Sequence, residues 1–244
     1  MDPAVLRDDM VAGLEHDSKR VLESEALSVA FRTVPREAFV PDERGAYADR
    51  SFEQYGTKVL APSTVARLFE VLDPQEGDSV LVVGAGVGYT AAVCAQVVGA
   101  RNVHAVDIAR RLVWEARDNL GRAGYGAVLV DRRNGERGLP EYAPFDRVLL
   151  EAAAIRPPDA LLSQLAPGGR LVMPLGLGEQ RLVAIENGAV ASRHGAVSFA
   201  PLLIEGERSD TVERNRTTRE DREFAERAAE RRRGWEHEWI DWDR

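Results

Sequence analysis

The sequence predicts an α/β fold: a mostly parallel seven-stranded sheet with helices on both faces, an N-terminal helical region before it and a C-terminal helical tail after it. Three observations predict this. From Asp78 to about residue 175, short β-branched runs alternate with amphipathic stretches, the pattern of parallel strands joined by crossover helices. The first of those runs ends in three alternate glycines and leads directly into a helix. Two further apolar runs meet at Asn187-Gly188, a hairpin signal that supplies an antiparallel edge.

Residues 3–32 place Leu14, Val21, Leu22, Leu27 and Phe31 at helical spacing among charges, so they read as amphipathic helix. The stretch TVPREAFVPDERGAYADRSFEQYGTKVLAP is dense in Pro and Gly and has no sustained period. Its aromatic and apolar residues need burial, so it reads as an ordered irregular segment. A helix follows from Pro62, with Val65, Leu68, Phe69 and Leu72 on one face and Ser63 or Thr64 as its cap. DSVLVVGAG is then a strand, GYTAAVCAQVVG a helix closed by Gly99, NVHAVDI a strand, ARRLVWEARDNLGRAG a helix and AVLVD a strand. FDRVLLEAAA is another strand, PPDALLSQLAPGG a helix with a glycine stop, RLVMPLG a strand, and RLVAIENGAVASRHGAVSFAPL the closing hairpin. After Leu203 the chain is charge-dense; a capping box from Thr217 to Glu220 opens a tail helix that carries Trp235, Trp239 and Trp242 on one stripe. The expected division is a domain over 1–204, made of an N-terminal region (1–61) and an α/β core (62–204), and a tail over 205–244.

The composition narrows the function classes. A chain of 244 residues builds one sizeable domain. Its net charge of −8 argues against a standing grip on nucleic-acid phosphates. No apolar run has the roughly 20 residues of a membrane helix, and the acid-bearing N-terminus lacks a secretion signal, so a cytoplasmic monomer is expected. The single Cys94 excludes intramolecular disulfides and Cys-cluster metal sites. His16, His104, His194 and His237 share no ligand spacing, so no metal is expected.

The chemistry-bearing signal is Val80-Leu-Val-Val-Gly84-Ala-Gly86-Val-Gly88-Tyr89. Glycine belongs where the chain turns sharply and its backbone approaches a ligand. Dinucleotide sites also use such turns, but their G-x-G-x-x-G needs a small residue where Tyr89 stands. Asp107 ends the next strand, where a carboxylate accepts from both hydroxyls of a ribose. Gly84, Gly86, Gly88 and Asp107 are therefore read as binding S-adenosylmethionine, in a Rossmann-like methyltransferase fold. Asn134 and Gly135 follow the third strand, beside the place of the adenine, with a plain turn as the alternative. Glu151 ends the fourth strand, at the carboxyl edge where open α/β sheets bind ligands, which puts it near the methyl group.

Further segments resemble the protein-L-isoaspartate O-methyltransferase family, across roughly residues 18–204. They are Val34-Pro-Arg-Glu-Ala-Phe-Val-Pro41, Ala46-Tyr-Ala-Asp-Arg50, Gly135-Glu-Arg-Gly-Leu-Pro140, Ala143-Pro-Phe-Asp146, Glu151-Ala-Ala-Ala154, Leu165-Ala-Pro-Gly-Gly-Arg-Leu-Val-Met-Pro174 and Phe199-Ala-Pro-Leu202. The resemblance implies methyl transfer from S-adenosylmethionine to the misplaced carboxylate of isoaspartyl residues in damaged proteins, as a repair step; protein or peptide substrates are the implied partners. Such a carboxylate is already ionised at neutral pH, so alignment and exclusion of water matter more than a strong base.

One stretch departs from the family. Where the family reads Gly-Gln-Thr-Ile-Ser-x-Pro, this chain has Gly56-Thr57-Lys58-Val59-Leu60-Ala61-Pro62. Leu60 takes the place of a serine hydroxyl, and Glu151 stands where the family has a neutral small or hydroxyl residue. A charged Glu151 would repel an anionic substrate by several kcal/mol at ~4 Å in a poorly solvated site. Thr57, Lys58 and Ser63 are candidates to replace the lost hydroxyl, and Lys58 to neutralise Glu151 or hold the substrate carboxylate. Two alternatives remain: a paralogue with another substrate, in which Glu151 serves as base, and a non-catalytic cofactor-binding module. Tyr47, Asp49, Arg50 and Tyr55 read equally as cleft wall or as anchors of the irregular segment.

Overall fold

The computed structural model describes residues 3–16, 20–176 and 178–203. The expected tail helix, with its tryptophan stripe, lies outside the described residues. Helices α1 (Pro3–Glu15) and α2 (Glu25–Thr33) bury Val11 and Leu14 from one and Leu27, Ala30 and Phe31 from the other. Ser24 caps α2 by accepting from the Leu27 N–H.

The next segment makes short 3-10 turns at Arg36–Phe39 and Glu43–Gly45, as its lack of period suggests. It also contains a hairpin that the sequence reading missed, β1 (Phe52–Gln54) against β2 (Thr57–Val59). Tyr55 and Gly56 close it with φ of 52° and 76°, both left-handed as a two-residue hairpin turn requires. Strands of three residues are too short to display an alternation, which is why the pattern was invisible. Helix α3 (Pro62–Leu72) also corrects an expectation. Neither Ser63 nor Thr64 caps it. Ala61 holds the cap position, and the Asp49 carboxylate accepts from the Ser63 N–H at 3.0 Å.

The core then runs β3 (Val80–Val83), α4 (Tyr89–Val98), β4 (Val103–Asp107), α5 (Arg110–Arg122), β5 (Leu129–Arg132), β6 (Phe145–Leu150), α6 (Asp159–Ser163), β7 (Leu165–Leu175), β8 (Gln180–Glu186) and β9 (Ala189–Val197). The seven strands order as β5-β4-β3-β6-β7-β8-β9. The first five are parallel and the last two antiparallel, joined at Asn187-Gly188 with φ of 52° and 75°. The helix expected over PPDALLSQLAPGG stops at Ser163. Leu165 already pairs with Phe145 in the sheet, and a Cβ on Gly169 would lie 3.0 Å from the Phe145 carbonyl oxygen. Gly169 thus serves a strand's close approach and Gly168 a left-handed φ of 78°, rather than a helix stop.

Successive strand residues alternate between two cores. Val80, Val82, Leu149, Val172, Leu182 and Ala184 face the larger one, with α1 to α5. Leu81, Val83, Val148, Leu150, Leu171, Met173, Val183 and Ile185 face the smaller, which includes Leu161 of α6 and Leu139. The N-terminal helices share the larger core with the sheet, so residues before Pro62 are built into the same packed unit. Among the described residues no helix is long and apolar enough to cross a membrane.

Candidate active site

The chain order reverses beside β3, which lies between β4 and β6. Open sheets bind ligands at the carboxyl ends of strands at such a point. The glycine loop emerges there. Its N–H groups at Gly84 and Ala85 both donate to the Val106 carbonyl, at 2.8 and 2.9 Å, which pins the loop to the end of β4. Gly84, with φ of 96°, could not be replaced cheaply: an added Cβ would stand 3.3 Å from the Glu151 Cβ. Gly88, at 95°, is the left-handed cap of α4, pressed against Ala116 and Leu120 of α5. Around Gly86 nothing comes nearer than 4.0 Å to an added Cβ, so the middle of the loop faces open space.

Asp107 is 8% exposed at the end of β4. Its Oδ2 accepts from the Gly86 N–H at 3.0 Å and its Oδ1 from the Ala109 N–H at 2.9 Å. Burial pushes this carboxyl up, and the N–H groups of Ala109, Gly86 and Ile108 oppose that push. The same residue therefore shapes the glycine loop and offers lone pairs at its rim. Asn134 caps a 3-10 turn, its side-chain oxygen accepting from the Glu136 N–H at 3.0 Å, which leaves its amide N–H groups for other partners. Gly135 is buried, and an added Cβ would collide with Val83.

Glu151 follows β6, and its N–H donates to the Val83 carbonyl at 2.8 Å. Among the described residues its Oε1 has no hydrogen-bond partner, and it is closed off from solvent. Burial pushes this carboxyl up to about 8; a hydrogen bond with the Thr90 side chain opposes the shift, and the Asp107 charge adds to it.

The other wall comes from the N-terminal segment. Its pivot is Arg36, fully buried, which sequence reasoning passed over within the VPREAFVP motif. The guanidinium donates to the carbonyls of Ala46 at 2.8 Å and Leu60 at 2.6 Å, and stacks 4.5 Å from the centroid of the Tyr89 ring. Tyr89 begins α4, so one side chain ties the loop at Leu60 to the helix that the glycines open. Phe39 adds a tilted ring contact to Tyr89 at 5.7 Å. The hairpin tip is held separately: Arg111 of α5 sits 3.9 Å from the Tyr55 ring centroid.

The hairpin's alternation sorts the loop candidates. Phe52 and Val59 are buried, Gln54 and Thr57 share that side, and Lys58 is exposed opposite Glu53 on the other. Gln54 Oε1 is sealed from solvent and has no partner among the described residues, a second group that sequence reasoning missed. Ser63 is engaged through its N–H by Asp49. Three of the residues left open between wall and anchor are anchors. The Tyr47 hydroxyl donates to Glu37 and accepts from Arg7; Arg50 pairs with Asp42 at 2.7 Å; Asp49 caps α3.

The family model for protein-L-isoaspartate(D-aspartate) O-methyltransferase matches residues 7–206. The chain belongs to this family. Its relatives include the protein-L-isoaspartate O-methyltransferase of Aeropyrum pernix, 44% identical over 79% of this chain and 76% of that one. The Methanosarcina mazei enzyme of the same name is 38% identical over 81% and 83%. Among solved structures, a protein-L-isoaspartate O-methyltransferase superposes with a TM-score of 0.71 at 26% identity, over 80% of this chain and just under two thirds, 65%, of that one. A putative member from Plasmodium falciparum, solved with S-adenosyl-L-homocysteine, gives 0.72 over 81% and 98% at 19% identity, which shows the shared fold.

The methyl donor of the protein-L-isoaspartate O-methyltransferase family, S-adenosylmethionine, fits the residues present. The left-handed glycines keep side chains out of the loop, Gly86 opens onto free space, and the partly satisfied Asp107 carboxylate can accept further hydrogen bonds. Groups of three or more His, Cys, Asp or Glu arranged to hold a metal are absent among the described residues. Cys94 is buried in α4, where desolvation raises its thiol and leaves it a packing residue.

Proposed function

We propose that this chain methylates the misplaced carboxylate of L-isoaspartyl residues in damaged proteins, drawing the methyl group from S-adenosylmethionine, and that it acts in the cytoplasm as a monomer. Gly84, Gly86, Gly88, Asp107, Asn134 and Gly135 form the cofactor half. Asp107 binds the ribose hydroxyls, the glycine loop carries the methionine end, and Asn134 with Gly135 lines the adenine side. Thr57 and Gln54 supply polar groups from the hairpin's inner side, and Ser63 stands at the head of α3. Lys58 meets the surface of the protein substrate at the rim.

The observation that supports this reading best is the Arg36 bridge. It fixes the loop at Leu60 to Tyr89, at the head of the cofactor helix, so a carboxylate lying against residues 55–63 faces the carboxyl edge of β3 and β6. Catalysis then consists of alignment and of keeping water out, which an ionised nucleophile needs more than proton removal. Leu60 and the Glu151 carboxyl favour a second reading, an acceptor with a hydroxyl or amine that Glu151 deprotonates. Chromatography of an isoaspartyl peptide incubated with the protein and S-adenosylmethionine separates the two. Progressive conversion to the aspartyl form supports repair. Cofactor binding with no conversion favours the other acceptor.

A further inference from the structure

We propose that Glu151 engages the substrate as a neutral acid, its carboxyl O–H donating a hydrogen bond to the isoaspartyl carboxylate in place of the hydroxyl that Leu60 lacks. The inference rests on the repair reading and deepens it by naming the group that recognises the carboxylate.

Placement comes first. Glu151 leaves β6 at the switch point, and its Cβ would be 3.3 Å from one added to Gly84, so the side chain stands over the first glycine of the cofactor loop. Its Oε1 is closed off from solvent and meets no donor or acceptor among the described residues. Buried polar atoms are nearly always partnered, and one left free at a ligand crevice points to a partner brought by the ligand.

The surroundings decide which partner. The groups facing Glu151 are the Thr90 side chain from α4, the Asp107 carboxylate from β4 and the side-chain-free glycine loop after β3. A hydroxyl and a second acid face it, and among the described residues no Lys or Arg acts on it. Burial and the neighbouring acid both favour the protonated form, with its midpoint near 8. The sulfonium of the methyl donor pulls the other way, but the incoming carboxylate opposes that charge, so burial still governs. A protonated Glu151 presents a donor, and an isoaspartyl carboxylate is an ionised acceptor. Their O–H···O⁻ bond belongs to the short, strong class. The ionised Glu151 would repel the same substrate.

The balance of the step is simple. A carboxylate oxygen forms the new C–O bond, the S–CH3 bond breaks, and its electron pair stays on sulfur. The Glu151 proton is not transferred. A base role would instead require an ionised Glu151 and a substrate that loses a proton.

The test uses the full chain, an isoaspartyl peptide and its aspartyl twin, with Glu151→Gln, which keeps a donor but cannot ionise, and Glu151→Ala, which has none. S-adenosylhomocysteine affinity, read by calorimetry, confirms that each variant keeps a formed cofactor site. Wild-type kcat/KM should fall about tenfold per pH unit above 8. Glu151→Gln should stay within roughly tenfold of wild type at neutral pH and lose that fall, whereas Glu151→Ala should drop about 100-fold or more. If Glu151→Gln binds S-adenosylhomocysteine normally yet is as inactive as Glu151→Ala, or if the wild-type rate climbs through pH 8, the donor role is overturned and repair still stands. If wild type methylates no isoaspartyl peptide at any pH, the repair reading itself fails and the donor role with it.

Discussion

The two walls of the cleft are held in different ways. The cofactor half is set largely by main-chain groups: the glycines of one loop, the Val106 carbonyl that pins it, and Asp107 on the adjacent strand. The substrate half is set by side chains. Arg36 gathers carbonyls at positions 46 and 60 and stacks on Tyr89, Asp49 caps a helix that starts at Pro62, and Tyr55 is anchored by Arg111. The loop's main-chain bonds can persist while side chains around it change their chemistry, as Leu60 on the hairpin side and Glu151 at the end of β6 indicate.

This contrast can be broken from either side. The largest effect belongs to Arg36→Ala. It leaves the Ala46 and Leu60 carbonyls without their donor and a cavity against Tyr89, and should lower stability by about 3–5 kcal/mol in urea unfolding. Peptide KM should rise far more than S-adenosylhomocysteine affinity falls; equal losses would mean that the walls are not separable. Gly84→Ala acts from the cofactor side. The left-handed φ and the close Glu151 Cβ cost about 1–3 kcal/mol, read as weaker S-adenosylhomocysteine binding in calorimetry. Asp107→Ala should weaken cofactor binding by about 1–3 kcal/mol in a calorimetric titration, and unchanged affinity would remove it from the ribose site.

A fourth test uses pH. An acid whose folded pKa is raised holds its proton longer in the native state, so stability is highest below the unfolded value and declines as pH rises towards the folded one. For Glu151 the window runs from its ordinary 4.5 to about 8. Wild-type unfolding free energy should decline there by at most about 1.4 kcal/mol per pH unit, and Glu151→Gln should flatten the decline. The smallest effect is expected from Tyr55→Ala, about 0.5–1 kcal/mol from the lost stacking with Arg111. Lys58→Ala, on the exposed side of the hairpin, should leave stability unchanged within error.

The same contrast explains what the sequence disclosed. The alternation of strands and helices, the glycine loop and the Asn187-Gly188 hairpin follow from local patterns, and the structure has them where the patterns put them. The hairpin at Tyr55-Gly56 did not show, because three-residue strands carry no period. The α3 cap was misread because the carboxylate that serves it arrives from Asp49, outside any capping motif. Arg36 and Gln54 were missed because a buried polar side chain is recognisable only once its long-range neighbours are known. An arginine amid Val, Pro, Ala and Phe was the one available hint.

The most direct measurement is methyl transfer from labelled S-adenosylmethionine to an isoaspartyl peptide beside its aspartyl twin, with cofactor binding verified in the same preparation. Label on the isoaspartyl peptide alone is the predicted result: a cofactor half intact and a rebuilt wall that still recognises the misplaced carboxylate. Label on neither peptide, with the cofactor bound, would contradict it and show that the changes at Leu60 and Glu151 moved the chemistry to another acceptor.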